Sequence, residues 1–387
     1  MTVTTQQAEC SARGERRLLM AIELGRRQWK LGFTTGVGQR PRRRTVSTNA
    51  WDRVREEIAA AKIRLQVPAD APVVSCYEAG RDGFWVHRYL TTLGVTNLVV
   101  DSSSIEVSRR ARRAKTDRID VEKLLAMLLR YVDGEVKVWR VVRAPSETDE
   151  QRRQLHRELD ALKRDRVRVT NRITGLLATV GIVGKVDTTF AERLEQLTQW
   201  NGEPIPVALR ARLTREWQKV HLMTTQIREL ERARHVALQQ SDDAAVALVR
   251  RLLALRGMGE TAAWLFVMEL FAWRRFHNRR EVGSITGLVG TPYKSGQLDH
   301  EQGISKAGNR RVRTLAIQIA WGWLMYQPQS ALAQWYTRRF AQGGSRARKI
   351  GIVAVARRLI VDLWRYLDAG VIPLGAVFKA SSSVATG

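Results

Sequence analysis

Apolar residues fall in short runs as far as Val100, and from Leu155 onward they fall in long stripes of alternating four- and three-residue steps. Short runs bounded by turn residues predict strands, and the stripes predict helices. Residues 18–24 are apolar apart from Glu23, residues 29–34 follow, and residues 45–48 come after a basic turn at 40–44, which gives three short strands. Residues 51–65 carry helical spacing through Val54, Ile58 and Leu65 until Pro68 and Pro72 break it. Residues 73–77 form a strand ending at Glu78, Gly80 and Gly83 lead into a helix over Trp85, Val86 and Leu90, and residues 97–100 are another strand. A further helix over Val121, Leu124, Leu125 and Leu128 completes the series. The order is strand, strand, strand, helix, strand, helix, strand, helix, an α/β layout whose functional groups belong near strand ends.

The middle of the chain changes period. Leu155, Leu159, Leu162, Arg166, Val169, Ile173, Leu176 and Val180 form a coiled-coil seam with one polar position. After Gly181, Gly184 and the break at 204–206, a second seam runs through Leu209, Leu213, Trp217, Val220, Ile227 and Leu230, so the two pair with each other or across a dimer. The first helix carries a cationic surface that includes Arg164 and Arg168, suited to a nucleic-acid backbone. The last third is mainly helical. Its Gly257-Met258-Gly259 turn joins two helices, and Trp264 and Phe266 sit at core spacing. A glycine-rich loop at 287–296 presents Ser295 beside Lys294, and a basic turn at 303–311, with Lys306, Asn309, Arg310 and Arg311, opens a helix over Leu315, Ile319 and Leu324. An amphipathic helix at 350–367 and a Ser-rich tail expected to be disordered follow.

Charge narrows the function. Across 387 residues, 65 Lys and Arg stand against 38 Asp and Glu, a net charge of +27 that points to nucleic acid. No apolar run is long enough to span a membrane and the first residues lack the apolar core of a signal peptide, so a cytoplasmic protein is expected. Cys10 and Cys76 lie far apart and the six His show no ligand spacing, which argues against disulfide, thiolate-zinc and His-metal chemistry.

The candidate chemistry is acidic. Arg109, Arg110, Arg112, Arg113 and Lys115 run into Asp117 and Asp120, three residues apart in what reads as the first turn of a helix capped by Thr116. Two carboxylates on neighbouring positions of one helix face suit a hard divalent cation such as Mg²⁺. Glu23, inside an apolar strand, and Glu78, at a strand end, are the acids best placed to join them. By spacing alone Ser295 is only a turn residue.

The acid in the first strand, the Tyr77-Glu78-Ala79-Gly80 segment and the Lys115-Thr116-Asp117-Arg118-Ile119-Asp120 run together resemble the DEDD-type insertion-sequence transposases, the bridge-RNA-guided recombinases, and their relatives the pilin-gene invertases. The resemblance covers nearly the whole chain. It implies a RuvC-like domain of ribonuclease H fold at 1–145, a coiled-coil insertion at 146–245 that dimerises and contacts a guide noncoding RNA, and a carboxy-terminal transposase domain at 246–387 whose nucleophilic serine maps to Ser295, with Ser305 the other candidate. It further implies Mg²⁺ on Glu23, Glu78, Asp117 and Asp120, donor and target DNA as substrates, and acidic and serine centres meeting between protomers of a dimer or tetramer. The departure is Glu23, since the family usually has Asp there. Two rival readings are a RuvC-like junction nuclease using metal-activated water, and a non-catalytic nucleic-acid-binding relic.

Overall fold

The computed structural model describes residues 16–80, 83–105, 117–295 and 298–380, without the side chains of 103, 117–120 and 292–302. The chain divides into two compact units, Met1–Pro145 and Ser146–Gly387. The helical insertion at 146–245 and the segment at 246–387 therefore belong to one unit.

The first unit is built on a mixed five-stranded sheet of order β3-β2-β1-β4-β5, with β1 (Leu18–Leu24), β2 (Gln28–Thr34), β3 (Arg42–Ser47), β4 (Val73–Glu78) and β5 (Thr96–Val100). β1, β2 and β3 are antiparallel neighbours, whereas β4 and β5 run parallel to β1. Helices cover both faces. Leu18, Met20 and Ile22 alternate toward α1 (Trp51–Arg64) and α2 (Trp85–Thr92), while Leu19 and Ala21 face α3 (Asp117–Val132). A strand buried on both faces is apolar at every position, which is why Glu23 stands out in β1. Gly32 sets how closely α3 packs, since a Cβ there would lie 2.6 Å from Val121 Cγ1.

The expected basic turn at 40–44 proves to be partly strand, because β3 starts at Arg42. β3 is an edge strand, where charges that would disfavour a central strand block unwanted pairing. Its arginines are held by carboxylates of the covering helices, Arg42 and Arg44 by Glu57 and Arg43 by Glu122.

In the second unit, α4 (Glu147–Arg152) leads into α5 (Gln154–Ala178), and after α6 (Phe190–Leu194) the chain returns along α7 (Val207–Gln240). The predicted seams pair within the chain and antiparallel, because Lys163 bonds Glu231 at 2.6 Å and Arg172 bonds Glu216 at 2.9 Å. Val169, Ile173 and Leu177 pack with Leu213 and Val220, and Phe190, Leu194 and Ile205 of the connection close that end.

The remaining helices are α8 (Ala244–Leu253), α9 (Glu260–Phe266) with a π turn at Val267–Phe271, α10 (Arg279–Thr286), α11 (Arg310–Tyr326), α12 (Ala331–Tyr336) with a second π turn at Thr337–Ala341, and α13 (Ser345–Ala369). Their shared core includes Phe266, Trp323, Leu359 and Leu363, and Trp264 is buried there, as its spacing predicts. The chain after α13 returns to the Gly257 turn, where Lys379 Nζ donates to the Met258 carbonyl at 2.9 Å. The Ser-rich residues beyond 380 lie outside the described residues.

The loop expected at 287–296 is instead mostly strand. β6 (Gly290–Ser295) and β7 (Leu298–Ile304) form an antiparallel hairpin whose ladder ends in the pair Ser295 and Leu298. Its glycines and Pro292 read as loop punctuation, but a two-stranded edge ribbon tolerates both.

Candidate active site

Backbone register brings two of the predicted acids together. β1 and β4 are parallel with Ile22 beside Tyr77, so the next positions, Glu23 and Glu78, are neighbours at the carboxyl ends of both strands. Alternation places Glu23 with Leu19 and Ala21, and Glu78 with Val74 and Cys76, on the face that α3 covers. The two positions are about 4.8 Å apart across the ladder. Glu23 is half-buried with Oε2 shielded from solvent, and Lys30 stands opposite it on β2. Glu78 is exposed. α3 begins at Asp117, so Asp117 and Asp120 occupy the first turn of the helix over this face. Their side chains, Thr116 and the cations Arg109, Arg110, Arg112, Arg113 and Lys115 lie outside the described residues.

Two carboxylates at neighbouring strand ends, one of them shielded from water, are oxygen donors of the kind a hard divalent ion takes, and among the described residues no third acid or imidazole joins them. Cys76 cannot contribute a thiolate, because burial pushes its thiol up and its Sγ faces the Leu124 carbonyl. A polar cavity of about 780 Å³ opens between Arg16, Arg17, Thr35, Gln39, Gln66 and Asp133. It lies at the opposite end of β1, away from the acids.

In the second unit, the turn before α11 is interlocked with the end of α10. Ser305 N donates to Val289 O at 2.8 Å and Asn309 N to Ile285 O at 2.8 Å. Gly287 (φ 66°) and Gly308 (φ 100°) permit the contact, since a Cβ on either would lie 2.0 Å from Ala307 O or 2.2 Å from Ile285 O respectively. Ser305 and Lys306 are exposed on this turn, and Arg310 is exposed at the start of α11. Asn309 is committed at both ends of its amide: Oδ1 caps α11 by accepting from Arg311 N at 3.0 Å, and Nδ2 donates to Glu269 Oε2 at 3.0 Å. Arg311 reaches Asp160 at 3.3 Å. The backbone of Lys294 and Ser295 is in β6, and their side chains lie outside the described residues.

Glu269 was not among the predicted site residues. Only 2% exposed on the π turn, it accepts from His156 Nε2 at 2.9 Å, from Arg157 Nε and Nη2 at 2.7 and 2.9 Å, and from Asn309. Burial alone would raise its pKa, but the bonds from His156 and Arg157 and their charge outweigh that and hold it below the usual carboxylate range. The sequence signal was the one that exposed Glu23, a lone acid in an apolar run. Its partners His156 and Arg157, more than 100 residues away on α5, and Asn309, 40 residues away before α11, gave no such signal.

The cationic face expected on α5 is thinner than the sequence suggested. Arg153 is buried beside Trp273, Arg157 serves Glu269, and Lys163 and Arg172 bind α7, whereas Arg164 and Arg168 stay exposed with local partners Asp160 and Asp165.

Comparison with known proteins fits both units. Residues 249–336 match the Transposase IS116/IS110/IS902 family. The chain is 39% identical over 375 residues, covering 94% of each sequence, to the Sinorhizobium fredii protein named "Putative transposase y4rJ". It is 30% identical over 221 residues to the transposase for insertion sequence element IS1328 of Yersinia enterocolitica, covering 56% of this chain and 63% of that one. No helix among the described residues is long and apolar enough to cross a membrane. The protein belongs to the IS110/IS116/IS902 family of transposases, whose activity is DNA transposition.

Proposed function

We propose that this transposase cuts and rejoins DNA strands with a metal-bound acidic centre in its first unit and Ser295 as nucleophile in its second, guided by a noncoding RNA. The observation that carries the reading is the adjacency of Glu23 and Glu78 on one sheet face, beneath a helix that opens with Asp117 and contains Asp120. Three antiparallel strands followed by two parallel ones, with helices on both faces, support a RuvC-like identity for this unit.

Glu23, Glu78, Asp117 and Asp120 would hold Mg²⁺, which supplies Lewis-acid polarisation of a phosphate and eases loss of a hydroxyl proton. Ser295 Oγ attacks the scissile phosphorus, loses its proton, and displaces a sugar hydroxyl, leaving a serine phosphodiester. That link preserves the bond energy, so the reverse attack by a different sugar hydroxyl joins new strands without ATP. Guide RNA and DNA phosphates are assigned to Arg164, Arg168 and the exposed Lys306 and Arg310. Asn309 caps α11 and bonds Glu269, and Arg311 bonds Asp160 of α5. The acids and the serine belong to different units, and we assign their meeting to separate protomers of a dimer or tetramer.

The test combines calorimetry with cleavage. Glu78→Gln and Asp120→Asn are expected to lose Mg²⁺ binding and abolish strand cleavage while DNA affinity stays within about twofold. Cleavage at the wild-type rate in both would remove the acidic centre from the account. Glu23→Asp is expected to remain active, since aspartate offers the same ligand one methylene shorter.

A further inference from the structure

The carboxyl ends of the strands carry an aromatic cluster on the face opposite the acids. Trp29 is the second residue of β2, Trp51 opens α1 and Trp85 opens α2, all at the end of the sheet where Glu23 and Glu78 lie. The Trp51 ring centroid is 4.9 Å from that of Trp29, 5.7 Å from that of Trp85 and 4.1 Å from that of Tyr89. Trp29 is buried, 1% exposed, and forms the floor. Trp85 is 38% exposed and stands at the rim, seven residues beyond Glu78.

Packing needs do not explain the rim. The core on this face is already closed by Leu31, Val54, Val86 and Leu90, and an exposed indole at its edge adds little burial. Cations border the cluster on two sides. Arg26 and Arg27 are exposed in the turn between β1 and β2, and Thr48 ties that turn to the start of α1 by bonds to Gly25 O and Arg27 O at 3.1 Å each. On the other side, Arg55, ion-paired through Nη2 to the exposed Asp52, donates from Nη1 to Tyr89 Oη at 3.3 Å. An exposed indole backed by half-buried aromatics and bordered by arginines is the chemistry that holds an unpaired base, with ring stacking beneath and phosphate pairing alongside.

We propose that Trp85, supported by Trp51 and Tyr89 and flanked by Arg26, Arg27 and Arg55, is a stacking platform for an unpaired nucleobase of the DNA strand whose phosphate reaches the acidic centre. The inference rests on the reading of Glu23 and Glu78 as that centre. A strand laid across the sheet end places its phosphate on the α3 side and turns a neighbouring base onto the α1 and α2 side. The platform holds the base out of its duplex stack and fixes the register of the scissile bond without reading sequence, because every base has a ring face.

The test uses the full-length protein and a short single-stranded oligothymidylate carrying one 2-aminopurine, whose fluorescence falls when it stacks. Binding is expected to quench the probe. Trp85→Leu, which keeps apolar bulk but lacks a ring, should weaken binding about tenfold or more and remove most of the quench, whereas Trp85→Phe should retain most of both. Trp321→Ala, at an exposed tryptophan of the second unit, should change neither. Wild-type affinity and quench in Trp85→Leu, or an equal loss in Trp321→Ala, would overturn the platform. Glu78→Gln separates this inference from the reading beneath it. Retained quench with lost cleavage supports both, and retained quench with retained cleavage rejects the acidic centre and, with it, the assignment of this base to the scissile strand.

Discussion

A carboxylate sealed from water persists as an anion only where donors meet it, and Glu269 is met by His156, Arg157 and Asn309 from two other elements. Removing its charge weakens the bonds from Arg157, whose guanidinium stays partly in water, so Glu269→Gln should cost about 1.5–3 kcal/mol in urea unfolding at neutral pH. The pH dependence has a definite sign. A carboxyl whose folded pKa is depressed adds stability above its unfolded value, near 4.5, and loses that contribution as pH falls toward the folded value. The gap between wild type and Glu269→Gln should therefore narrow as pH drops below 4.5. A gap that holds constant to low pH would mean that the carboxylate's charge is not what stabilises this junction. Glu23 and Glu269 are equally conspicuous in the sequence as acids in apolar runs, yet only Glu23 belongs to a known pattern of companions.

At the scale of elements, short apolar runs bounded by turn residues make the central strands legible, and β1, β4 and α1 lie within a residue or so of where the pattern puts them. Two elements escape a linear pattern for physical reasons. Arg42 and Arg43 are stable in β3 because it is an edge strand and Glu57 and Glu122 of the covering helices pair with them, and a linear pattern does not reveal edges. The β6 and β7 ribbon hides behind Gly290, Pro292, Gly296 and Gly303, the residues that otherwise mark loops. The interlock beneath that ribbon leaves no space for a side chain at Gly308, whose φ is also positive. Gly308→Ala should lower stability by at least about 1–3 kcal/mol, measured by urea unfolding, and a shift of only a few tenths would show that the turn can relax away from Ile285. On the helical hairpin, Arg164 and Arg168 have only local exposed partners, pairs worth little in water, and so remain able to switch to phosphates. Replacing both with Ala should weaken RNA binding and reduce the salt slope by about two units at most. An unchanged affinity and slope would leave the hairpin as a spacer.

For the whole molecule, the +27 charge, the α/β amino unit and the helical remainder were legible in composition and period, whereas the pairing of the insertion with the carboxy-terminal helices in one unit was not. The bonds that join them, Arg157 to Glu269 and Arg311 to Asp160, span more than 100 residues each. The central claim, that acids in one unit and a serine in the other cooperate in strand transfer, is tested most directly by trapping the covalent intermediate. Protein, guide RNA and labelled DNA are incubated with Mg²⁺, denatured, and assayed for label on the polypeptide, with Ser295→Ala and Ser305→Ala alongside. A DNA-linked band is expected in wild type and in Ser305→Ala and none in Ser295→Ala; cleavage without a band in any lane, or a band that persists in Ser295→Ala and vanishes in Ser305→Ala, would rule out Ser295 as the nucleophile.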